Sequence, residues 1–304
     1  MATFSRSRKT CLRVGTGISW PCGVFCVGWS AFCLSSAMRE AYRMNRLVPR
    51  LEGVDAKIQR AKRHLATVKR EVRAYKGSHP EVVEAKLDPS IPGYRLYAKI
   101  RPPRIGISVI IGDFLFDLRS ALDHLARGLV ETEGNVPVDT GTPRTMFPVF
   151  DKQPKKLIVA GGVDPNALAI VERLQPYQRP DWWLSELWIL NELHNIDKHR
   201  TLHLPTAAWV GRGTQVAVLE PGRRHVAVIL GRVESGAELG HIPIHHANPS
   251  LDPEVEVYGQ FTVEVFMPPF GPQASHGLPL LDGLQALFDF VSKDVVPLFD
   301  PFFQ

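Results

Sequence analysis

Tyr94-Arg-Leu-Tyr-Ala-Lys-Ile100 alternates apolar and polar side chains with the two-residue period of a strand, and Pro102-Pro103 stops it. It stands between stretches that read as helices, so any partner strand must come from far along the chain. Candidates begin past Leu202, where residues 216–219, 225–230 and 255–266 are β-branched runs separated by Gly, Pro and Asn. These read as an antiparallel sheet with hairpins. If the early strand pairs with the late ones, no cut divides the chain into a helical half and a sheet half. The expected fold class is therefore α+β, with a helical N-terminal two-thirds packed against a C-terminal antiparallel sheet and a closing amphipathic helix over about 280–295.

The helical readings follow from period and punctuation. Leu47, Leu51, Val54, Ile58, Ala61, Leu65, Val68, Val72 and Tyr75 recur at three- and four-residue steps within 38–76, and Gly77 and Pro80 end that segment. Residues 107–130 read as a second helix. A stretch over 135–155 is irregular and holds Thr145-Met-Phe-Pro-Val-Phe150. A short helix over 165–174 runs into Gln175-Pro-Tyr177, and Asp181 stands as the N-cap of a further helix over 182–199.

The chain has 304 residues, 44% apolar and 22% charged, which supports a real core and excludes a wholly disordered or fibrous chain. Its net charge of +5 is the sum of unlike parts. Residues 1–76 carry 16 Lys/Arg against 4 Asp/Glu, and the remainder carries 20 against 27. Cys11, Cys22, Cys26 and Cys33 all lie near the start and lack the paired spacing of a zinc knuckle, so the body uses no disulfide. No charge occurs from Val14 to Met38, and Arg6, Arg8, Lys9 and Arg13 precede that run. Residues 1–37 thus read either as an extension ahead of a start at Met38 or Met44, or as a signal- or anchor-like segment. Residues 38–304 read as one α+β domain, helical over about 38–200 and sheet-rich over about 201–304. The location expected for it is the cytoplasm, with export or anchoring as the alternative.

Chemistry-bearing residues concentrate on two helices. On the 107–130 helix, Phe114, Leu118, Ala121, Leu122, Leu125 and Leu129 share one side, while Asp113, Asp117, Ser120, His124 and Arg127 line the other. Arg119 and Asp123 form an i,i+4 pair on the flank. On the 182–199 helix the polar groups continue the apolar face: Leu184, Leu187 and Trp188 lead to Asn191, Asn195 and Lys198, and Trp183, Leu187 and Leu190 lead to His194 and Asp197. Buried amide, imidazole and ammonium groups require partners, and the polar face around His124 is the natural place to find them.

Three chemistries suit this set. Metal-assisted hydrolysis would use His124, His194 and His199 with Asp117 or Asp197, but no H-E-x-x-H spacing supports it, and neither a metal nor a cofactor is called for. Metal-free phosphodiester cleavage would use a histidine as acid or base and Arg or Lys to stabilise charge. The third is a non-catalytic anion pocket or interaction module in which the polar network only fixes the helix pair. P-loop, dinucleotide-fold and serine-hydrolase motifs are absent from the sequence.

The strings Gly112-Asp113, Leu118-Arg-Ser-Ala-Leu-Asp-His-Leu125, Phe147-Pro-Val-Phe150, Leu174-Gln-Pro-Tyr177 and Asn195-Ile-Asp-Lys-His-Arg-Thr-Leu202 resemble, in order, the signature blocks of a bacterial family of uncharacterised proteins. A weaker resemblance is to the HEPN ribonucleases, all-helical enzymes whose motif is Arg, four to six residues, then His. Arg119-Ser-Ala-Leu-Asp-His124 fits it, with Ser120 in the polar slot after the arginine. That resemblance implies RNA cleavage or RNA binding, with His124 as acid/base, Arg119 stabilising charge, and Asn195 and Lys198 orienting phosphate. Asp117, Ser120, Asn191, His194, Asp197, His199 and Arg200 would complete the binding set. The partner implied is RNA or another anionic ligand, with a second copy of the chain as a further candidate and no firm sign of a membrane. Against the HEPN pattern stand the appended sheet and the angle between Arg119 and His124, about 140° on an ideal helix.

Overall fold

The computed structural model describes residues 51–88, 90, 93–141, 144–199, 205–220, 223–243, 254–258, 261–267 and 277–304. The readings made for residues 1–50, including the four cysteines and the start of the first helix, lie outside the described residues. The elements below belong to one unit, Arg50–Gln304.

The long helix α2 (Ile105–Thr132) is the axis of the structure. Its 28 residues bury Phe114, Leu115, Leu118, Ala121, Leu122, Leu125 and Leu129 on one broad apolar face. Helix α1 (Glu52–Gly77) packs its stripe of Val54, Ile58, Ala61, Leu65, Val68, Val72 and Tyr75 against it. Gly53 meets His124 and Lys57 meets Asp117, so the two helices run antiparallel. Between them in sequence lie strands β1 (Glu81–Leu87) and β2 (Gly93–Ile100). Helices α3 (Pro165–Arg173) and α4 (Glu186–His199) follow α2, with α4 packed on it.

Strand β2 does find a late partner. It pairs antiparallel with β1 on one edge and with β5 (Glu238–Pro243) on the other, giving a three-stranded sheet in the order β1-β2-β5. The Ser235-Gly236 turn before β5 reinforces the join: Ile100 N donates to Ser235 Oγ at 3.0 Å and Gly236 N to Ala98 O at 2.7 Å. Its partner is not one of the apolar runs singled out from sequence. Strand β5 hides behind Gly240 and Pro243, which usually count against a strand. Strand β1 also went unread, because of its seven residues only Val83 is buried, and Glu81, Glu84 and Lys86 are charges suited to a sheet edge.

The expected runs at 216–219, 225–230 and 255–266 form a second, antiparallel sheet. The long strand β3 (Thr206–Glu220) pairs with β4 (Arg223–Glu234) along one edge. Its other edge is shared by β6 (Glu254–Tyr258) and β7 (Phe261–Phe266). The closing helix α5 (Leu280–Asp289) passes into a wider turn over Phe290–Val295 and a tighter one over Val296–Phe303. Helix α1 is tied to the C-terminal part of the unit: Lys69 Nζ donates to Gln285 Oε1 at 2.6 Å and Lys76 Nζ pairs with Glu264 at 3.0 Å.

At the C-terminal end of α1, Tyr75 OH donates to Arg101 O at 2.5 Å, and burial pushes the hydroxyl up to about 12. The folded chain binds that proton more tightly than the unfolded one, whose phenol titrates near 10. Its stabilisation is therefore complete below about pH 10 and is lost as pH rises towards 12. A titration of tyrosinate absorbance should show a phenol titrating near 12 in the wild type that is lost in Tyr75→Phe, with the raised Tyr177 unaffected.

Candidate functional site

Two clusters flank α2, and only one opens to solvent. In the interior cluster Arg119, with 5% of its surface exposed, donates from Nη1 to Asp123 Oδ1 at 2.7 Å and from Nη2 to Phe147 O at 2.7 Å. Phe147 N in turn donates to Asp123 Oδ1 at 2.9 Å. The Asp123 carboxyl is held above the ordinary carboxylate range by burial, against the opposing pull of Arg119 and the Phe147 N–H. Three residues on, the Gln175 amide takes over. Its Nε2 donates to Pro148 O at 2.9 Å and Val171 O at 3.1 Å, while its Oε1 accepts from Phe150 N at 3.1 Å. Irregular backbone buried beside a helix must have its N–H and C=O groups satisfied. These two side chains do that for Phe147-Pro-Val-Phe150, and the Phe147 ring then meets Phe299 edge-on at 6.4 Å. Three of the sequence blocks, around Arg119, Phe147 and Gln175, thus meet to pin one segment.

The open cluster lies between α1 and α2. Asp117, whose side chain is 2% exposed, faces Lys57 Nζ at 2.9 Å, Arg60 Nε at 3.3 Å and His64 Nε2 at 3.4 Å. Only the Lys57 contact is an aligned hydrogen bond; Oδ2 has none. Lys57 Nζ also sits 4.7 Å from the centroid of the Phe116 ring, which is 52% exposed. The His194 ring of α4 lies 6.1 Å from the Phe116 ring, centroid to centroid. The arrangement is three basic groups around one buried carboxylate, beside an exposed aromatic ring.

The sequence-derived set does not converge on His124. That residue is exposed, with its ring against Gly53, where a Cβ would stand 3.0 Å from Nδ1. His194 reaches Phe116 instead, two helical turns or about 12 Å along the axis from position 124. Asn195 and Lys198 are exposed, Asn191 and Ser120 are half-buried, and Arg119 is turned inward. Asp197 packs its carboxylate against Gly112, where a Cβ would meet both oxygens at 2.7 Å; its Oδ1 is buried and accepts no hydrogen bond among the described residues. The side chain of His199 and all of Arg200 lie outside the described residues.

The reason for the mismatch on α4 is a break in phase. Trp182–Leu184 forms a separate tight turn, Ser185 is extended at φ −67° and ψ 129°, and the helix starts afresh at Glu186. A face drawn through Leu184 is therefore rotated off the true one, which centres on the buried Leu187, Leu190 and Leu193. Leu184 itself is 52% exposed. Asp181 caps nothing with its side chain and pairs with Arg179 at 2.7 Å.

Reasoning from sequence missed Lys57, Arg60, His64, Phe116 and Gln175. The steps 57, 60 and 64 are helical neighbours on the flank of the α1 stripe, which was the available signal. Among the described residues no group of three or more His, Cys, Asp or Glu is placed to hold a metal ion, and no helix is long and apolar enough to cross a membrane. A cleft of about 320 Å³ at the other end of α1, lined by Glu71, Tyr75, Ser78, Arg101 and Arg104, includes none of the catalytic or binding candidates read from sequence. Comparison with known protein families, with curated proteins and with solved structures returned no match.

Arg119→Ala leaves the Phe147 carbonyl without its donor and deprives the Asp123 carboxylate of its guanidinium partner, the Phe147 N–H remaining. It should cost about 2–4 kcal/mol in urea unfolding, below the full cost of breaking a buried pair because Asp123 retains some exposure. Asn195→Ala, at an exposed position, should change stability by no more than about 0.5 kcal/mol. The reverse ranking would show that Asn195 is the residue holding the helices together.

Proposed function

We propose that the protein binds RNA along the flank of α1 that adjoins α2, and that Arg119 serves the fold rather than phosphate chemistry. The observation that carries this reading is the imbalance at Asp117, where Lys57, Arg60 and His64 share one buried carboxylate. A single negative charge leaves that spot with excess positive potential, and the Arg60 side chain is 64% exposed to present it. Arg63 and Arg70, on the side of Arg60 away from Lys57 and His64, carry exposed positive charge round to the outer face of α1. They lie 60° and 80° from Arg60 at 100° per residue, on exposed turns spanning about 15 Å. Arg70, itself exposed, meets the half-buried Glu71, a surface pairing of small energetic weight. The exposed Asp113, one turn before Asp117 on α2, opposes this potential in part.

The same geometry weighs against cleavage by the Arg119–His124 pair. Arg119 donates to two interior acceptors while His124 faces solvent against Gly53, so they do not address a common phosphate. Rather than a HEPN-type catalyst, the site supports a binding surface whose sequence-independent affinity comes from phosphate contacts.

Fluorescence anisotropy with a labelled single-stranded RNA tests this. Binding should weaken as salt rises, with a log–log slope of about −0.7 for each phosphate contacted. The Arg60→Gln/Arg63→Gln double variant, altered at exposed positions, should lose at least about tenfold in affinity with its melting temperature near that of the wild type. Unchanged affinity would remove RNA from this flank. Total RNA should stay intact with both the wild type and His124→Ala; fragments from the wild type alone would restore His124 as an acid or base.

A further inference from the structure

An exposed phenylalanine is unremarkable by itself, and the setting of Phe116 is what distinguishes it. Its ring has Lys57 of α1 with Nζ 4.7 Å from the centroid, and the His194 ring of α4 tilted at 37° with centroids 6.1 Å apart. Asp117, the next residue, gathers Lys57, Arg60 and His64. Phosphate-binding groups and an aromatic platform therefore lie within one side chain's reach of each other, with Lys57 touching both. Rigid positioning comes from α2, whose neighbouring Leu115 and Leu118 are fully buried, so the ring's base is fixed while just over half of its surface stays open.

Resting on the RNA-binding reading above, we infer that Phe116 stacks an unpaired nucleobase while Arg60 and His64 hold the adjoining phosphate, so that this flank selects single-stranded over double-stranded RNA. A base in a duplex offers its edges and not its faces, whereas an unpaired base offers a π-face to any aromatic ring. The cations beside Phe116 suit the backbone that follows the base, and stacking of this kind tolerates any base identity. Two cations and an imidazole around one acid, beside an exposed ring, suit a polyanion with flat rings along it, which uses both halves of the cluster.

The experiment measures binding of the full chain to single-stranded RNA, to duplex RNA of equal length and to heparin, for the wild type, Phe116→Ala and Phe116→Trp. Phe116→Ala should lose about five- to hundredfold in affinity for the single strand and nothing for heparin, and Phe116→Trp should restore it. Thermal melting of each variant confirms that the exposed substitution leaves the fold intact. Equal losses on all three ligands, or no loss on the single strand, overturn the stacking role while leaving the basic flank as a polyanion site. If the wild type binds none of the three, the RNA reading fails and this inference fails with it.

Discussion

Much of the structure hangs on one guanidinium. Arg119 sits where α2 meets the irregular stretch between α2 and α3, and its two nitrogens join the helix to that stretch through Asp123 and Phe147. Without a donor there, the carbonyl of Phe147 would face the interior unsatisfied and the Phe147 ring would lose its seat against Phe299. Arginine suits the position because its planar fork reaches two acceptors at once, which a lysine point charge does not. Gln175 repeats the device at the other end of the segment with a neutral amide.

Helix α1 divides its basic residues between two duties. Lys69 and Lys76 are spent inward, binding the C-terminal helix and strand to the N-terminal part of the unit. Lys57, Arg60 and His64 are turned the other way, towards Asp117 and solvent. The excess charge in this part of the chain is thus neither a uniform solvated face nor a core device, and a net-charge figure for the whole chain conceals the distinction.

Period and punctuation made most elements legible. The alternation at 94–100 marked β2 to within a residue, and the stripes of α1 from Val54 onward and of α2 named buried side chains, while Leu51 is half-buried and Leu47 lies outside the described residues. What failed did so for local or tertiary reasons. Ser185 is extended and interrupts what read as one helix, so every angular argument carried across it was out of phase. Strands β1 and β5 have the composition of edges, with charge, Gly or Pro in place of an apolar alternation, and exist because β2 lies between them. In the candidate site, the polar identity of Asp117, His124 and His194 was visible, but which helix each would face was not. Facing depends on how α1 and α4 are rotated about α2, and no periodicity within a single helix encodes that.

The pairing of β2 with β5 has a temporal side. Arg95 and Glu238, joined across these strands, are 143 residues apart, and synthesis at about 5–20 residues per second separates their emergence by on the order of ten seconds. During that interval β2 has only β1 beside it, a two-stranded ribbon of marginal stability, and its second edge offers free N–H and C=O groups next to Leu96 and Ala98. The nascent chain therefore passes through a stage in which the second edge of β2 waits for a strand not yet made.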